Sequence, residues 1–325
     1  MLKTHRDKII FLCGIALVLI LSRFTDSINA YYFQIIIYIG INIILAESLN
    51  LINGFTGQFS LGHAGFMAVG AYTSAAITYY IGPHLIHGHS PVGEQLFFFT
   101  ALLAGGCLAA FVGLLVGVPS LRLKGDYLAI VTLGFGEIIR VIMQNLNFVG
   151  GPRGFSGIPF YTTFAWTYVF VIVVIFLTEN LMRSTYGKGF LAVRDNEIAA
   201  EAMGINTTKY KVVAFVISAF FAGIAGGLFA HYLTYIKPDN FTFLKSIEIV
   251  VMVILGGMGS TVGAVFAAIV LTILPELLRT VAEYRMVIYA LLLIILMLTR
   301  PQGIFGGRID WTKLGKKLRR EKKSS

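Results

Sequence analysis

The sequence predicts an all-α, polytopic membrane protein of about ten transmembrane helices with broken or re-entrant segments. Three observations carry that prediction. Hydrophobic residues make up 57% of the 325-residue chain and charged residues only 13%, whereas soluble domains carry roughly a quarter charged residues. The apolar residues fall in repeated runs close to the length of about 20 that a spanning helix needs. Glycine-rich polar stretches interrupt those runs without Lys or Arg.

The first run, 9–21, is short and follows Lys3, Arg6 and Lys8. It reads as an uncleaved first helix rather than a signal peptide with Ser27-Ile28-Asn29-Ala30 as a poor cleavage site. Further spans are expected at 31–51, 61–81, 96–118, 127–148 and 166–181. A polar stretch, 182–211, follows. After it come a span at 212–235, a long apolar region at 247–278 and a last span at 286–299. The long region is interrupted by Gly256, Gly257 and Gly259, where the low helical preference of glycine marks a break.

Read as two crossings, that region gives ten spans and places both chain ends on the cytoplasmic side. The cytoplasmic segments then hold three basic residues before the first span, Arg122 and Lys124, five in 183–211 and nine from Arg300 onward. These are nineteen of the 26 Lys and Arg. Six face outside and Arg140 lies within a span. An excess of this kind sets orientation. The net charge of +10 is therefore read as membrane topology, with no nucleic acid partner. The chain is one transmembrane domain, with a short cytoplasmic N-terminus (1–8), a cytoplasmic loop (182–211) and a basic tail (300–325).

Two features point to function. Residues 50–65 are polar and glycine-rich between two strong spans, and 255–263 has the same character. Irregular backbone at membrane depth survives only when buried in protein or lining a watery path, and paired breaks mark solute routes in transporters. Two tight interfacial turns would also fit. Within the first break, Asn53, Gln58, Ser60 and His63 are candidate pathway residues, with Glu137 in a later span. Glu137 and Arg140 share a helix face and can neutralise each other. Glu47, Glu248 and Glu276 are further carboxylates within apolar runs, where charge is expensive. Gly113/Gly117, Gly223/Gly227 and Gly259/Gly263 have the spacing that brings helices close.

The second feature is in the cytoplasmic loop. Asp195 or Asn196 can cap a short helix, Glu197 suits its first turn, and Gly204 can end it in the left-handed conformation. The expected helix comprises Asn196, Glu197, Ile198, Ala199, Ala200, Glu201, Ala202 and Met203, with Gly204 as its stop. So short a helix needs something to pack against. It either lies on the protein's own inner face or docks as a peg in a separate subunit. The chain has no G-x-x-x-x-G-K-[ST] loop, so ATP would have to act through a partner. His84, His87 and His89 share an external loop, but beyond the nearby Glu94 no cysteine or carboxylate set completes a metal site there. The scattered polar residues form no converging catalytic set, and the chain reads as a non-enzyme. An ion-gradient-driven transporter or channel would account for the buried carboxylates but not for the capped loop helix.

Four segments carry a family resemblance. They are LNLINGFTGQFSLGHAGFMAVGA (49–71), GDYLAIVTLGFGEI (125–138), AVRDNEIAAEAMGIN (192–206) and ILGGMGSTVGAVFAA (254–268). In this order they resemble the LivM-type permeases of branched-chain amino acid ATP-binding cassette (ABC) importers. The resemblance implies an ABC importer permease in a prokaryotic cytoplasmic membrane. It would pair with a LivH-type permease, two cytoplasmic ATPase subunits that bind the ATP, and an external solute-binding protein, with no cofactor of its own. The loop helix resembles the importer motif E-A-A-x-x-x-G, with Ala199, Ala200 and Gly204 in register and Ile198 where the motif has glutamate. Related permeases carry urea, short amides or other amino acids, so the substrate inference is the softer part of the resemblance.

Overall fold

The computed structural model describes residues 5–23, 29–85, 91–121 and 126–278, with the isolated positions 287, 290, 291, 294, 295 and 303. The basic tail, the expected last span apart from those positions, His87, His89, Arg122 and Lys124 lie outside the described residues.

The helices are α1 (His5–Leu21), α2 (Ala30–Asn50), α3 (His63–Ala76), α4 (Gly82–Leu85), α5 (Pro91–Ser120), α6 (Asp126–Asn145), α7 (Phe164–Arg183), α8 (Thr185–Asp195), α9 (Glu197–Ala202), α10 (Thr207–Leu233), α11 (Phe243–Gly256) and α12 (Thr261–Leu277). A two-residue antiparallel pair, β1 (Phe155–Ser156) with β2 (Tyr235–Ile236), ties the segment after α6 to the end of α10. Among the described residues, five helical stretches are long and apolar enough to cross a bilayer: Ala30–Phe55, Val92–Ser120, Tyr127–Asn145, Phe164–Arg183 and Thr207–Leu233. Phe11–Leu21 and Thr261–Leu277 are shorter apolar helices. The architecture is that of an all-α multi-pass membrane protein.

At the centre, α10 packs against α5, α3 and α2, while α12, α7 and α11 flank α2. Helix α2 is apolar almost all round and is buried from Ile39 to Asn50, as expected of a helix enclosed by others. The glycines set the closest approaches. A Cβ on Gly70 would lie 2.1 Å from the carbonyl oxygen of Gly223, and one on Gly113 would lie 2.6 Å from the Cβ of Ala219. The expected packing role of Gly113 and Gly223 is thus realised.

Helix α2 runs toward the end of the molecule that holds α8 and α9. Tyr38 lies against Tyr232 near the far end of α10, and Ser218 Oγ donates to the Ser48 carbonyl at 2.5 Å. Helices α3 and α11 both begin part-way along the bundle rather than at its end. His63, at the start of α3, is level with Ser48 and with residues of α6. Phe243, at the start of α11, is level with Glu137. The expected span at 61–81 therefore starts inside the layer, and the region at 247–278 is two helices joined by a break. With 14 residues, α11 is about 21 Å long at 1.5 Å per residue, short of a hydrocarbon core of about 30 Å.

Candidate functional site

Helix α2 ends by unwinding. Its last turn widens into a π-helical turn, Leu51–Phe55, and the chain then climbs back as extended backbone to α3. Several polar groups of that segment find partners in protein. Thr56 Oγ1 donates to the Ile52 carbonyl (2.7 Å), Ser60 N–H to Asn53 Oδ1 (3.1 Å), Leu61 N–H to Thr132 Oγ1 of α6 (3.0 Å) and Ala64 N–H to Ser246 Oγ of α11 (3.0 Å). This is how irregular backbone becomes tolerable at membrane depth.

The second break lies against the first. Gly257 and Gly259 adopt φ of 104° and 83°, which side-chain-bearing residues rarely adopt, and Ser260 then caps α12 through Gly263 N–H (3.1 Å). Gly256, grouped with them from the sequence, is instead the last helical residue of α11. A Cβ there would lie 2.4 Å from the backbone of Gly263. Asn50 joins the two breaks: its Oδ1 accepts Gly259 N–H at 2.8 Å, and its Nδ2 donates to Glu47 at 3.4 Å. Glu47, fully buried, also accepts Thr261 Oγ1 at 2.9 Å. Its role is to hold the crossing of α2 and α12 together. Glu276 accepts the Tyr31 hydroxyl at the far end of the same pair, and Glu248 pairs with Lys245.

Asn53, Gln58, Ser60 and His63 are all buried and adjoin this junction. His63 Nε2 lies 2.9 Å from Ser48 Oγ. Each of the four nevertheless keeps at least one buried polar atom with no protein partner: Asn53 Nδ2, both terminal atoms of Gln58, Ser60 Oγ and His63 Nδ1. Unsatisfied groups of this kind are rare in folded proteins and call for an explanation. Glu137, the fifth candidate, stands apart from them. On α6 it is one residue past the midpoint of the apolar stretch Tyr127–Asn145. It pairs with Arg140 at 2.7 Å and accepts the backbone N–H of Phe243 at 3.2 Å, capping α11.

The expected loop helix forms as α9, between Asn196 and Met203, with α8 as a separate helix before it. Asn196 ends α8 and caps α9, its Oδ1 accepting Ala199 N–H at 3.0 Å. Gly204 has φ of 80°, and Ile205 N–H returns to the Ala200 carbonyl at 3.0 Å, the left-handed stop expected of glycine. Glu197 binds Lys211 at 2.6 Å and Glu201 accepts Thr207 Oγ1 at 2.7 Å, so α9 is strapped to the start of α10. Ala200 is 5% exposed and faces its own chain. That face of α9 lies on the protein's own inner surface, the first of the two placements expected for it. The outward residues are Ile198, 73% exposed, and Met203, 82% exposed.

Sequence reasoning passed over Arg194, which connects this module to both breaks. Its Nη1 donates to the Gly54 carbonyl at 3.3 Å, its Cγ lies 2.8 Å from where a Gly57 Cβ would be, and Nη1 lies 3.2 Å from the corresponding point at Gly259. The only local signal was a basic residue next to the cap.

The chain matches known permeases over most of its length. A family model described as branched-chain amino acid transport system / permease component matches residues 31–297. The high-affinity branched-chain amino acid transport system permease protein LivM of Escherichia coli K12 is 38% identical over 299 residues, covering 81% of this chain and 67% of its own. The probable branched-chain amino acid transport permease protein LivM of Methanocaldococcus jannaschii is 26% identical over 318 residues, covering 83% and 92%. The autoinducer 2 import system permease protein LsrC of Shigella flexneri is 30% identical over 257 residues, covering 74% and 71%. No solved structure matches. By the extent of the family match and of its LivM relatives, the chain belongs to the family of branched-chain amino acid transport permeases.

Proposed function

We propose that this chain is the permease subunit of an ABC importer that moves leucine, isoleucine and valine across a prokaryotic cytoplasmic membrane. It pairs with a LivH-type permease, receives solute from an external binding protein and is driven by two ATPase subunits. The observation that carries this reading is the α8–α9 module. It is folded onto its own subunit, presents Ile198 and Met203 outward, and reaches both backbone breaks through Arg194. A chain without a phosphate-binding loop must receive its driving force by contact, and this is a contact already joined to the gate. The 38% identity to LivM against 30% to LsrC favours amino acids over autoinducer 2. Asn53, Gln58, Ser60 and His63 are polar lining that becomes accessible when the breaks separate. Ten crossings and two cytoplasmic ends remain the topology that fits the basic residues.

The test is uptake of labelled leucine, urea and short amides by the complete complex in proteoliposomes. Leucine uptake that requires ATP and all partner subunits is expected. Uptake of urea without leucine moves the protein to another branch of the family, and leucine uptake driven by an ion gradient alone refutes the ABC reading. Single cysteines near Gly259 and in the tail, probed with an impermeant reagent on intact cells, test the topology; tail labelling from outside refutes it.

A further inference from the structure

Helix α6 carries a charged pair where a lipid-facing helix could not keep one. Glu137 sits at the middle of its apolar stretch, and both partners keep surface in the isolated subunit: the Glu137 side chain is 32% exposed and that of Arg140 23%. Ionisable groups at this depth face protein or water, not hydrocarbon.

The pair is also one rung of a longer series. After β2 the chain descends through a short 3₁₀ turn, Pro238–Phe241, to the start of α11. That descent lays Lys237 and Asp239 beside α6. Lys237 Nζ is 3.8 Å from Asp239, and Asp239 is 3.9 Å from Arg140. Arg140 holds Glu137, and Glu137 caps the N-terminus of α11, where the helix dipole supplies partial positive charge. Signs alternate at every step, from the end opposite α9 down to mid-depth. The two outer contacts are long and their side chains are open, 48% for Lys237 and 61% for Asp239, so they can exchange partners.

We infer that Lys237, Asp239, Arg140 and Glu137 form a lane that passes a zwitterionic α-amino acid from the outer end of the permease to mid-depth. This deepens the function proposed above and rests on it. An α-amino acid carries a carboxylate and an ammonium separated by one carbon. It can bridge adjacent rungs of opposite sign, replacing each protein pair with two solute contacts at no net change in charge. A free carboxylic acid or an amino amide supplies one sign only, and strands the other rung. The buried polar atoms at Asn53, Gln58, Ser60 and His63 lie further along, toward the breaks. The lane is thus the approach to the gate rather than part of it.

The test uses the complete complex of both permeases, both ATPases and the external binding protein, with Cys13 and Cys107 of this chain replaced by serine. Asp239→Cys and Lys237→Cys are made separately, so that each leaves the Arg140–Glu137 rungs for the solute to bridge. The probe is a charged, impermeant methanethiosulfonate applied from the outer side, with and without leucine, leucinamide or 4-methylpentanoate. Both cysteines should react. Leucine at about ten times its Kd should slow the reaction about tenfold, because roughly a tenth of sites stay free, while the two single-charge analogues should protect far less. Unreactive cysteines, or equal protection by all three solutes or by none, overturn the lane. Leucine uptake by the unmodified complex is measured alongside. If that uptake is absent the importer reading has failed, whereas uptake without selective protection sinks the lane alone.

Discussion

Replacing Gly54 with alanine should drive the two backbone breaks apart. A Cβ there would lie 2.1 Å from Asn50 Oδ1, 2.2 Å from Gly259 N and 2.9 Å from Gly259 Cα. Ordinary contact starts at 3.4 Å, so against the Gly259 nitrogen the shortfall is 3.4 minus 2.2, or about 1.2 Å. The neighbours are backbone and a hydrogen-bonded amide, neither of which can swing aside. A shift of that size breaks the 2.8 Å bond from Gly259 N–H to Asn50. Leaving a buried acceptor unpaired costs ~1–3 kcal/mol, and overpacking adds ~1–3 kcal/mol. The closed junction should therefore weaken by about 2–6 kcal/mol. Gly134→Ala is the control: nothing lies within 4 Å of its Cβ position in the interior of α6, and alanine there should be neutral or stabilising by ~0.5–1 kcal/mol. The assay is a heating series on the purified protein in detergent, followed by size-exclusion chromatography. If the Gly54→Ala protein survives to the same temperature as the Gly134→Ala protein, the breaks are not packed as described.

Ile198→Asp should strip the ATPase subunits from the purified complex while the chain keeps its parent stability; full retention of the ATPases would refute the outward face of α9 as the docking surface. Ala200→Arg should instead destabilise the chain itself, by a few kcal/mol for a charge forced against its own body, seen as early melting even without partners. Gly204→Val places a β-branched residue at φ of 80° and should cost ~1–2 kcal/mol, read as lost hydrogen-exchange protection at the Ile205 amide; unchanged protection would contradict the left-handed stop. Gln58→Leu removes two buried unpaired atoms and should stabilise the resting protein by about 1 kcal/mol while lowering uptake, and parent-level uptake would make Gln58 a turn residue only.

The long apolar helices could be read from composition because lipid imposes length and hydrophobicity directly. Gly257, Gly259 and Gly204 were legible for a related reason: each sits where local backbone demands a positive φ. The cap at Asn196 needed only its own neighbours. What sequence could not supply was contact across distance. Asn50 and Gly259 are 209 residues apart, and nothing in either segment names the other. Arg194 reads locally as a loop cation, yet its reach to Gly54 and Gly259 comes from the direction of α8. Ala200 illustrates a finer limit. In a six-residue helix with three alanines, composition does not say which alanine faces inward; the straps from Glu197 to Lys211 and from Glu201 to Thr207 decide it.

Helix α11 has a consequence for how the protein is made. It spans only part of the layer, carries Lys245 and Glu248 in its first half, and is capped by a carboxylate that belongs to α6. Such a segment partitions poorly into lipid on its own when it leaves the ribosome, because its free N–H groups would meet hydrocarbon unsupported and its Lys245–Glu248 pair would have to enter with it. Glu137 must already be in place to receive it. Biogenesis is therefore ordered: the chain up to α10 assembles first, with α6 offering an open acceptor inside the membrane, and α11 enters protein rather than lipid. A lesion at Glu137 would then appear during synthesis, as a C-terminal quarter that fails to integrate.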